Sequence, residues 1–223
     1  VIRYLEFDKS SGCAFPPFHA KFIADRYLPI DTDGIVVDPC AGWGGRLLGT
    51  LLVNRSHRVR YIGIDPEERN RDAYEGLTRR ATIWLKSEIT GTRDSTIYYK
   101  PFEDWLKTAA AKKLYGKVDL VFTSPPYFGA ENYNPDNPKQ SANRYEQYNK
   151  WREGFYRQLV RGAYRLLKPD GHFVLNIADV AEAPRLERDA RKLASDEGFV
   201  SAGFFKLAMS MTPASRKAGN ARH

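Results

Sequence analysis

Apolar positions along this chain follow two rhythms that alternate from one end to the other. Gly34 to Asp38, Tyr61 to Ile64, Thr96 to Lys100, Val118 to Phe122 and His172 to Ala178 carry short apolar, β-branched runs, the pattern of buried strands. Between them, apolar residues spaced three or four apart predict helices. From Pro17 to Tyr27, Phe18, Phe22, Ile23 and Tyr27 share a face, and Pro29 closes the segment. Residues 67–88 repeat the pattern on a charged background, with Leu77, Ile83, Trp84 and Leu85 as anchors and Arg69, Arg71, Arg79 and Arg80 as a solvated face. Further helices are predicted around Ala109 to Lys113, from Trp151 to Leu167 with Phe155, Leu159, Val160, Tyr164 and Leu167 along one stripe, and from Pro184 to Gly198. Phe199 to Ser210 predicts one more strand. Residues 1–18 read as an irregular arm holding a short strand around Ile2 to Phe7, broken by Pro16-Pro17. Strands alternating with helices give an α/β fold: a doubly wound, mainly parallel sheet in a single domain over 1–223, with ligands at the strands' carboxyl ends.

Those carboxyl ends are where polar chemistry interrupts the apolar runs. The first strand stops at Asp38 and enters Pro39-Cys40-Ala41-Gly42-Trp43-Gly44-Gly45, a glycine-rich turn that lets a ligand approach the backbone closely. The second stops at Asp65-Pro66, about 20 residues beyond the glycines, where an acidic side chain holds ribose hydroxyls in this kind of fold. A helix N-cap for the segment after it is a compatible second role for Asp65. The run from Val118 ends in Thr123-Ser124-Pro125-Pro126-Tyr127-Phe128. Two prolines stiffen the backbone and remove two N–H donors, so the carbonyls around Ser124 and Pro125 need donors from elsewhere, and a substrate amine is one. Tyr127 adds a flat ring suited to stacking a nucleobase.

Composition narrows the setting. At 223 residues the chain has the length of one domain with a substantial core, and 42% hydrophobic, 28% charged residues with a mean hydropathy of -0.54 are ordinary for a globular protein. No apolar run approaches a membrane span and no leader pattern is present, so a reduced cytoplasmic setting is expected, at the nucleoid in a bacterium or phage. Cys13 and Cys40 make neither a disulfide framework nor a four-ligand zinc set, and no metal is expected. A net charge of +8 suits a polyanionic partner. Residues 128–150 form a long polar loop with Tyr133, Tyr145, Tyr148 and five asparagines, fit either to contact substrate or to act as a lid. Residues 211–223 are a polar tail.

Thr123-Ser124-Pro125-Pro126-Tyr127 resembles the catalytic motif of amino-group DNA methyltransferases, Asp/Asn/Ser-Pro-Pro-Tyr/Phe/Trp, whose serine form is associated with cytosine N4. Asp38 to Gly44 is similar to that family's donor motif, Asp-Pro-Phe-x-Gly-x-Gly-Thr, with Cys40 in place of the aromatic and Gly45-Arg46 in place of the hydroxyl residue. Leu166-Leu167-Lys168-Pro169-Asp170-Gly171 before an apolar strand is widespread in the wider superfamily. The resemblance implies a Rossmann-like class I fold and S-adenosylmethionine as methyl donor. It implies donor contacts at Asp38, Pro39, Ala41, Gly42 and Gly44, at Asp65 for the ribose, and at Phe102 and Glu103 for the adenine, with Asp104 able to exchange with Glu103. The helix from Pro17 resembles the element that closes the donor pocket, though a plain packing helix fits the same pattern. Cys40 reads as a small buried hydrophobe, because the nucleophilic cysteine of cytosine-C5 enzymes follows a later strand.

Ser124, Pro125, Pro126 and Tyr127 are the implied catalytic residues, and Tyr127, Phe128, Tyr133 and Tyr145 the implied substrate contacts. The implied activity is site-specific methylation of cytosine N4 in DNA on a flipped base, in a restriction-modification setting. Adenine N6, RNA, or an inactive DNA-binding module of a larger assembly are the alternatives. No segment between the motifs can hold a separate target-recognition domain, and only the 128–150 loop and the basic tail remain to supply one, so either weak specificity or help from a partner chain or dimer is expected. The family's last antiparallel edge strand has no apolar run in Met211 to His223, and is therefore elsewhere or lost.

Overall fold

The computed structural model describes residues 2–7, 15–85 and 92–207, with the backbone alone at 3–7, 84–85 and 205–207. The polar tail, and Ala208 to Ser210 of the last expected strand, lie outside the described residues. In chain order the elements are β1 (Ile2–Phe7), α1 (Pro17–Tyr27), β2 (Gly34–Asp38), α2 (Gly45–Leu51), β3 (Val59–Ile64), α3 (Arg71–Leu85), β4 (Arg93–Tyr98), α4 (Phe102–Trp105), α5 (Ala109–Lys112) and β5 (Val118–Thr123). Then come α6 (Ser141–Arg144), α7 (Tyr148–Trp151), a π-helical turn (Arg152–Tyr156), α8 (Arg157–Leu166), β6 (Leu167–Asn176), α9 (Leu186–Asp196) and β7 (Ser201–Leu207).

One seven-stranded sheet runs β4-β3-β2-β5-β6-β1-β7, and every neighbouring pair is parallel. The chain moves outward from β2 to β3 and β4, then returns to pair β5 against the other side of β2, with Val36 opposite Leu120 and Val37 opposite Val121. That reversal opens a crevice at the carboxyl ends of β2 and β5. Alternate residues of the central strands feed opposite faces. Val37, Ile62 and Val121 join a core with Trp105, Leu159 and Leu193, while Val36, Tyr61, Leu120 and Phe122 join a second with Ile23, Leu47 and Tyr74. Helices thus cover both faces, in the Rossmann-like class I arrangement expected. Asp119 secures the centre, accepting Ile35 N–H at 2.8 Å and the Lys168 ammonium at 2.7 Å.

The N-terminal segment is more than an arm. β1 lies between β6 and β7, with Ile2 opposite both Phe173 and Ser201. It occupies an inner position of the sheet, and it runs parallel where an antiparallel edge hairpin was expected. Met211 to His223, where the family's last strand was sought, lies outside the described residues.

The face of α1 also differs from expectation. Ala20, Ile23 and Ala24 are buried, whereas Phe18 and Phe22 are 81% and 55% exposed. α1 packs so tightly on α2 that a Cβ at Gly49 would sit 2.4 Å from the Pro17 carbonyl oxygen and 2.5 Å from Ala20 Cβ. Only small side chains fit between these helices, so the aromatics turn outward. In α3, Tyr74 and Ala81 are buried and Ile83 is exposed; the side chains of Trp84 and Leu85 lie outside the described residues.

Candidate active site

The glycine-rich turn after β2 is built around a buried ion pair. Gly42 and Gly44 have φ of +59° and +81°, the left-handed region that a side chain disfavours, and they fold the chain back into α2. Asp38, fully buried, accepts Arg46 Nε–H at 2.7 Å, the Tyr61 hydroxyl at 2.7 Å and Cys40 N–H at 3.2 Å. Arg46 also donates to the Cys40 carbonyl and lies 5.6 Å and 5.9 Å from the ring centres of Phe15 and Phe122. Asp38 therefore faces its protein partners and lies off the cavity, together with Ala41 and Gly44, whereas Arg46 lines it. The substitution that departs from the family motif fills the space beneath the turn with a cation, and that cation occupies the aspartate. Cys40 lines the cavity as well. Burial, then the nearby Asp38 and Asp65 charges, raise its thiol above the ordinary range, although the side chain is half-buried and not the fully buried hydrophobe expected.

Beyond β3, Asp65 grips the same turn from the side. Its carboxylate accepts Gly42 N–H at 2.7 Å and Glu67 N–H at 2.9 Å. Burial raises its pKa to about 6 despite those two bonds. Tyr74 and Asn70 donate to the Gly42 carbonyl, the latter at 3.2 Å. The capping role belongs to Glu67, which accepts Arg69 N–H at 3.2 Å; hydrogen bonding to Arg69 leads in holding its pKa at about 2. Phe102 and Glu103, at the start of α4, line the same cavity. Glu103 is buried and its pKa is raised by that burial, while Asp104 turns to Lys107 and Arg144 at 2.9 and 2.6 Å. Of the two acids left open by sequence, Glu103 is the one on the cavity wall.

The third wall is the corner after β5. Ser124, Pro126 and Tyr127 face the cavity; Pro125 does not line it. Ser124 Oγ accepts Asn176 Nδ2–H at 2.8 Å, from the last residue of β6. Tyr127 N–H donates to Glu131 at 3.1 Å, fixing the ring's entry into the following loop. Phe128 leaves the site for an aromatic cluster, 5.5 Å from Tyr148 and 5.8 Å from Trp151 between ring centres.

The 128–150 loop folds onto the segment after β3 and onto α4. Asn134 donates to Glu67 at 2.7 Å, Asn137 to the Pro66 carbonyl at 3.0 Å, Lys139 to Glu68 at 3.2 Å and the Tyr145 hydroxyl to Glu103 at 3.1 Å. Its asparagines serve the backbone too, since Asn143 Nδ2 reaches the carbonyls of Asn134, Pro135 and Asn137 at 2.8 to 3.1 Å. Tyr133 reaches the rim, edge-on to Trp43 at 6.5 Å, while Tyr145 is spent on Glu103 and lies off the cavity.

These walls enclose one continuous cavity of about 770 Å³. Pro39, Gly42, Asp65, Phe102, Glu103, Ser124, Tyr127 and Asn176 all contribute to its lining. That volume falls in the range of ligand clefts, roughly 300–1,000 Å³, at its roomy end. Arg46, Asn176, Trp43 and Glu131 line it and were missed from sequence. Asn176 lay hidden inside the apolar run His172 to Ala178, which the structure ends at Asn176 itself. Among the described residues no cluster of three or more metal-ligating side chains occurs, and no helix is long and apolar enough to cross a membrane.

Residues 118–212 match the family model described as DNA methylase, of the N6/N4 type. The match runs from β5 through β7, takes in the Ser124–Tyr127 corner and covers less than half of the chain. Among solved structures, a "possible exported protein" from Bordetella parapertussis aligns at 19% identity and a TM-score of 0.45, over 82% of this chain and 60% of that one. A precorrin-6y C5,15-methyltransferase from Geobacter metallireducens aligns at 15% identity and 0.42, over 81% and 71%. A conserved hypothetical protein of Streptococcus pyogenes aligns at 22% identity and 0.30, over 51% and 60%. The chain thus spans about 60% of the length of the Bordetella protein. No protein of curated function matches the chain.

Proposed function

We infer that this chain, whose residues 118–212 belong with the amino-group DNA methylases, transfers a methyl group from S-adenosylmethionine to the exocyclic amine of a nucleobase, with cytosine N4 in DNA as the favoured target. One observation carries the reading: a single cavity has the acidic residues of a nucleoside site and the Ser124–Tyr127 corner on its walls. The residues present fit the donor. Gly42 offers backbone approach without a Cβ, Asp65 offers a carboxylate to ribose hydroxyls, Phe102 an apolar wall for the adenine and Glu103 an acceptor for its amine. Pro39 contributes to the same wall. Asp38, Ala41 and Gly44 act by shaping the turn.

When bound, the donor supplies an electrophilic sulfonium methyl. The protein's task is to present the amine. Its lone pair is delocalised into the ring and becomes nucleophilic as the nitrogen pyramidalises, so acceptors must draw its hydrogens into place. Ser124 Oγ takes that role on the cavity wall, while Pro125, off the wall, and Pro126 stiffen the corner. Tyr127 stacks the base, whose extrusion from a duplex costs a few kcal/mol. No covalent intermediate on the protein is needed, because the amine takes the methyl directly. The net charge of +8 suits DNA, and base selection rests with the rim, where Tyr133 and Trp43 stand, or with a second chain.

Incubation with isotopically labelled S-adenosylmethionine and separate DNA and RNA pools, followed by nucleoside mass spectrometry, tests this. Labelled N4-methylcytosine from DNA is expected. N6-methyladenine would move the target, and label confined to RNA would move the substrate class. No product with donor binding intact would leave a DNA-binding module, the reading favoured by the unusual buried Arg46.

A further inference from the structure

The acceptor in this corner is a hydroxyl, and a hydroxyl brings its own proton. A carboxylate in the same place accepts in every direction; Ser124 Oγ accepts through two lone pairs and donates through one hydrogen. With that hydrogen facing the incoming amine, two donors would oppose each other. Something must hold the serine proton away. Asn176 is the group in place to do so: it ends β6 beside the end of β5, is 5% exposed, lines the cavity, and has its amide 2.8 Å from Oγ. Its carbonyl oxygen, Oδ1, is buried with no hydrogen-bond partner among the described residues, a costly state for an acceptor.

We propose that Asn176 is the positioning residue for Ser124, and that in the working site its amide turns its oxygen toward Oγ and accepts the serine proton. This rests on the methyl-transfer reading above and deepens it. The carbonyl and NH2 ends of an amide have nearly the same shape, so a half-turn about the Cβ–Cγ bond exchanges them with little change in packing. As the structure stands, the amide N–H takes one Oγ lone pair and leaves the hydroxyl hydrogen undirected. After the turn the orphaned Oδ1 has its partner and both Oγ lone pairs are free for the amine. The NH2 group then takes the enclosed place that Oδ1 leaves. The proton that leaves the amine on methylation passes to solvent, not to Asn176.

Asn176→Asp, Asn176→Ala and Ser124→Ala, each with folding checked by circular dichroism and donor affinity by calorimetry, decide the matter. A carboxylate can accept the serine proton and cannot donate. Asn176→Asp is therefore expected to keep kcat within about threefold of the parent above the ionisation of the new carboxylate, and to lose it on acidification in a limb that the parent's pH profile lacks. Asn176→Ala should lower kcat about tenfold, one hydrogen bond's worth, with KM and donor affinity within about twofold. Asn176→Asp as slow as Asn176→Ala at every pH would overturn the proposal, as would Asn176→Ala at parental rate. A parent protein that methylates no pool refutes the catalytic reading itself, and this inference with it; an active parent with the wrong variant pattern refutes the inference alone.

Discussion

Replacing Arg46 by methionine keeps the stem of the side chain and removes the cation beneath the glycine-rich turn. Asp38 is fully buried and its carboxylate meets Arg46 Nε at 2.7 Å and Nη2 at 3.4 Å, with Tyr61 and Cys40 N–H as its other partners. Without Arg46 the charge stays buried and loses its counter-ion, and the Cys40 carbonyl loses a donor. Breaking one side of a buried pair costs about 3 to 5 kcal/mol. A domain of this size has a urea m-value near the upper end of the small-protein range, about 3 kcal/mol/M, so the unfolding midpoint should fall by about 1 to 2 M at pH 7. Asp38→Asn combined with Arg46→Met removes both charges, leaves a neutral amide able to accept from Tyr61, and should recover more than half of that loss. Urea titration followed by tryptophan fluorescence reads both. A single variant within about 0.3 M of the parent, or a double variant less stable than the single one, would refute the claim that Arg46 exists to neutralise Asp38.

The remaining predictions concern the walls of the same cavity. Asp65 is an acid whose folded-state pKa, about 6, lies above the ordinary 3.8, so folding is favoured while it is protonated and that contribution is lost as pH rises from about 4 to about 6. The difference in unfolding free energy between the parent and Asp65→Asn should therefore shift by about 3 kcal/mol across that window, measured by urea titration, and a constant difference would contradict the assignment. Tyr127→Ala should weaken binding of a cytosine-containing oligonucleotide roughly tenfold while leaving S-adenosylmethionine affinity nearly unchanged, and equal losses would argue against stacking. Asn134→Ala, which removes a charge-assisted bond of 2.7 Å to Glu67, should speed donor dissociation about tenfold in stopped flow; an unchanged rate would show that the loop is no donor lid.

What the sequence made legible was the periodic part of the fold and the polar interruptions at strand ends. Buried parallel strands are continuous apolar runs, so β2, β3 and β5 could be read directly, and Asp65, Glu103 and Ser124 stood out by ending runs or following them. The place of β1 could not be read, because pairing between distant segments depends on the sheet's edges and leaves no local mark; Ile2 meets Phe173 and Ser201 across most of the chain. The outward turn of Phe18 and Phe22 had a similar cause, since the helical period identifies a face but the closeness of α1 and α2 decides which face. Arg46 was visible as a departure from the donor motif, yet its pairing with Asp38 required the fold to bring them together. The loop's asparagines read as base-reading groups because amides suit both base edges and backbone carbonyls. Here the described bonds go to the protein, at Pro66, Glu67 and the loop's own carbonyls.

The central claim is that donor and amine meet in one cavity at the carboxyl ends of β2 and β5. A crystal structure with S-adenosylhomocysteine bound tests it most directly. The account predicts the ribose on Asp65, the adenine between Phe102 and Glu103, and the sulfur turned toward Ser124 and Tyr127. A nucleoside bound outside this cavity, or held within it with the sulfur facing away from Ser124, would contradict it.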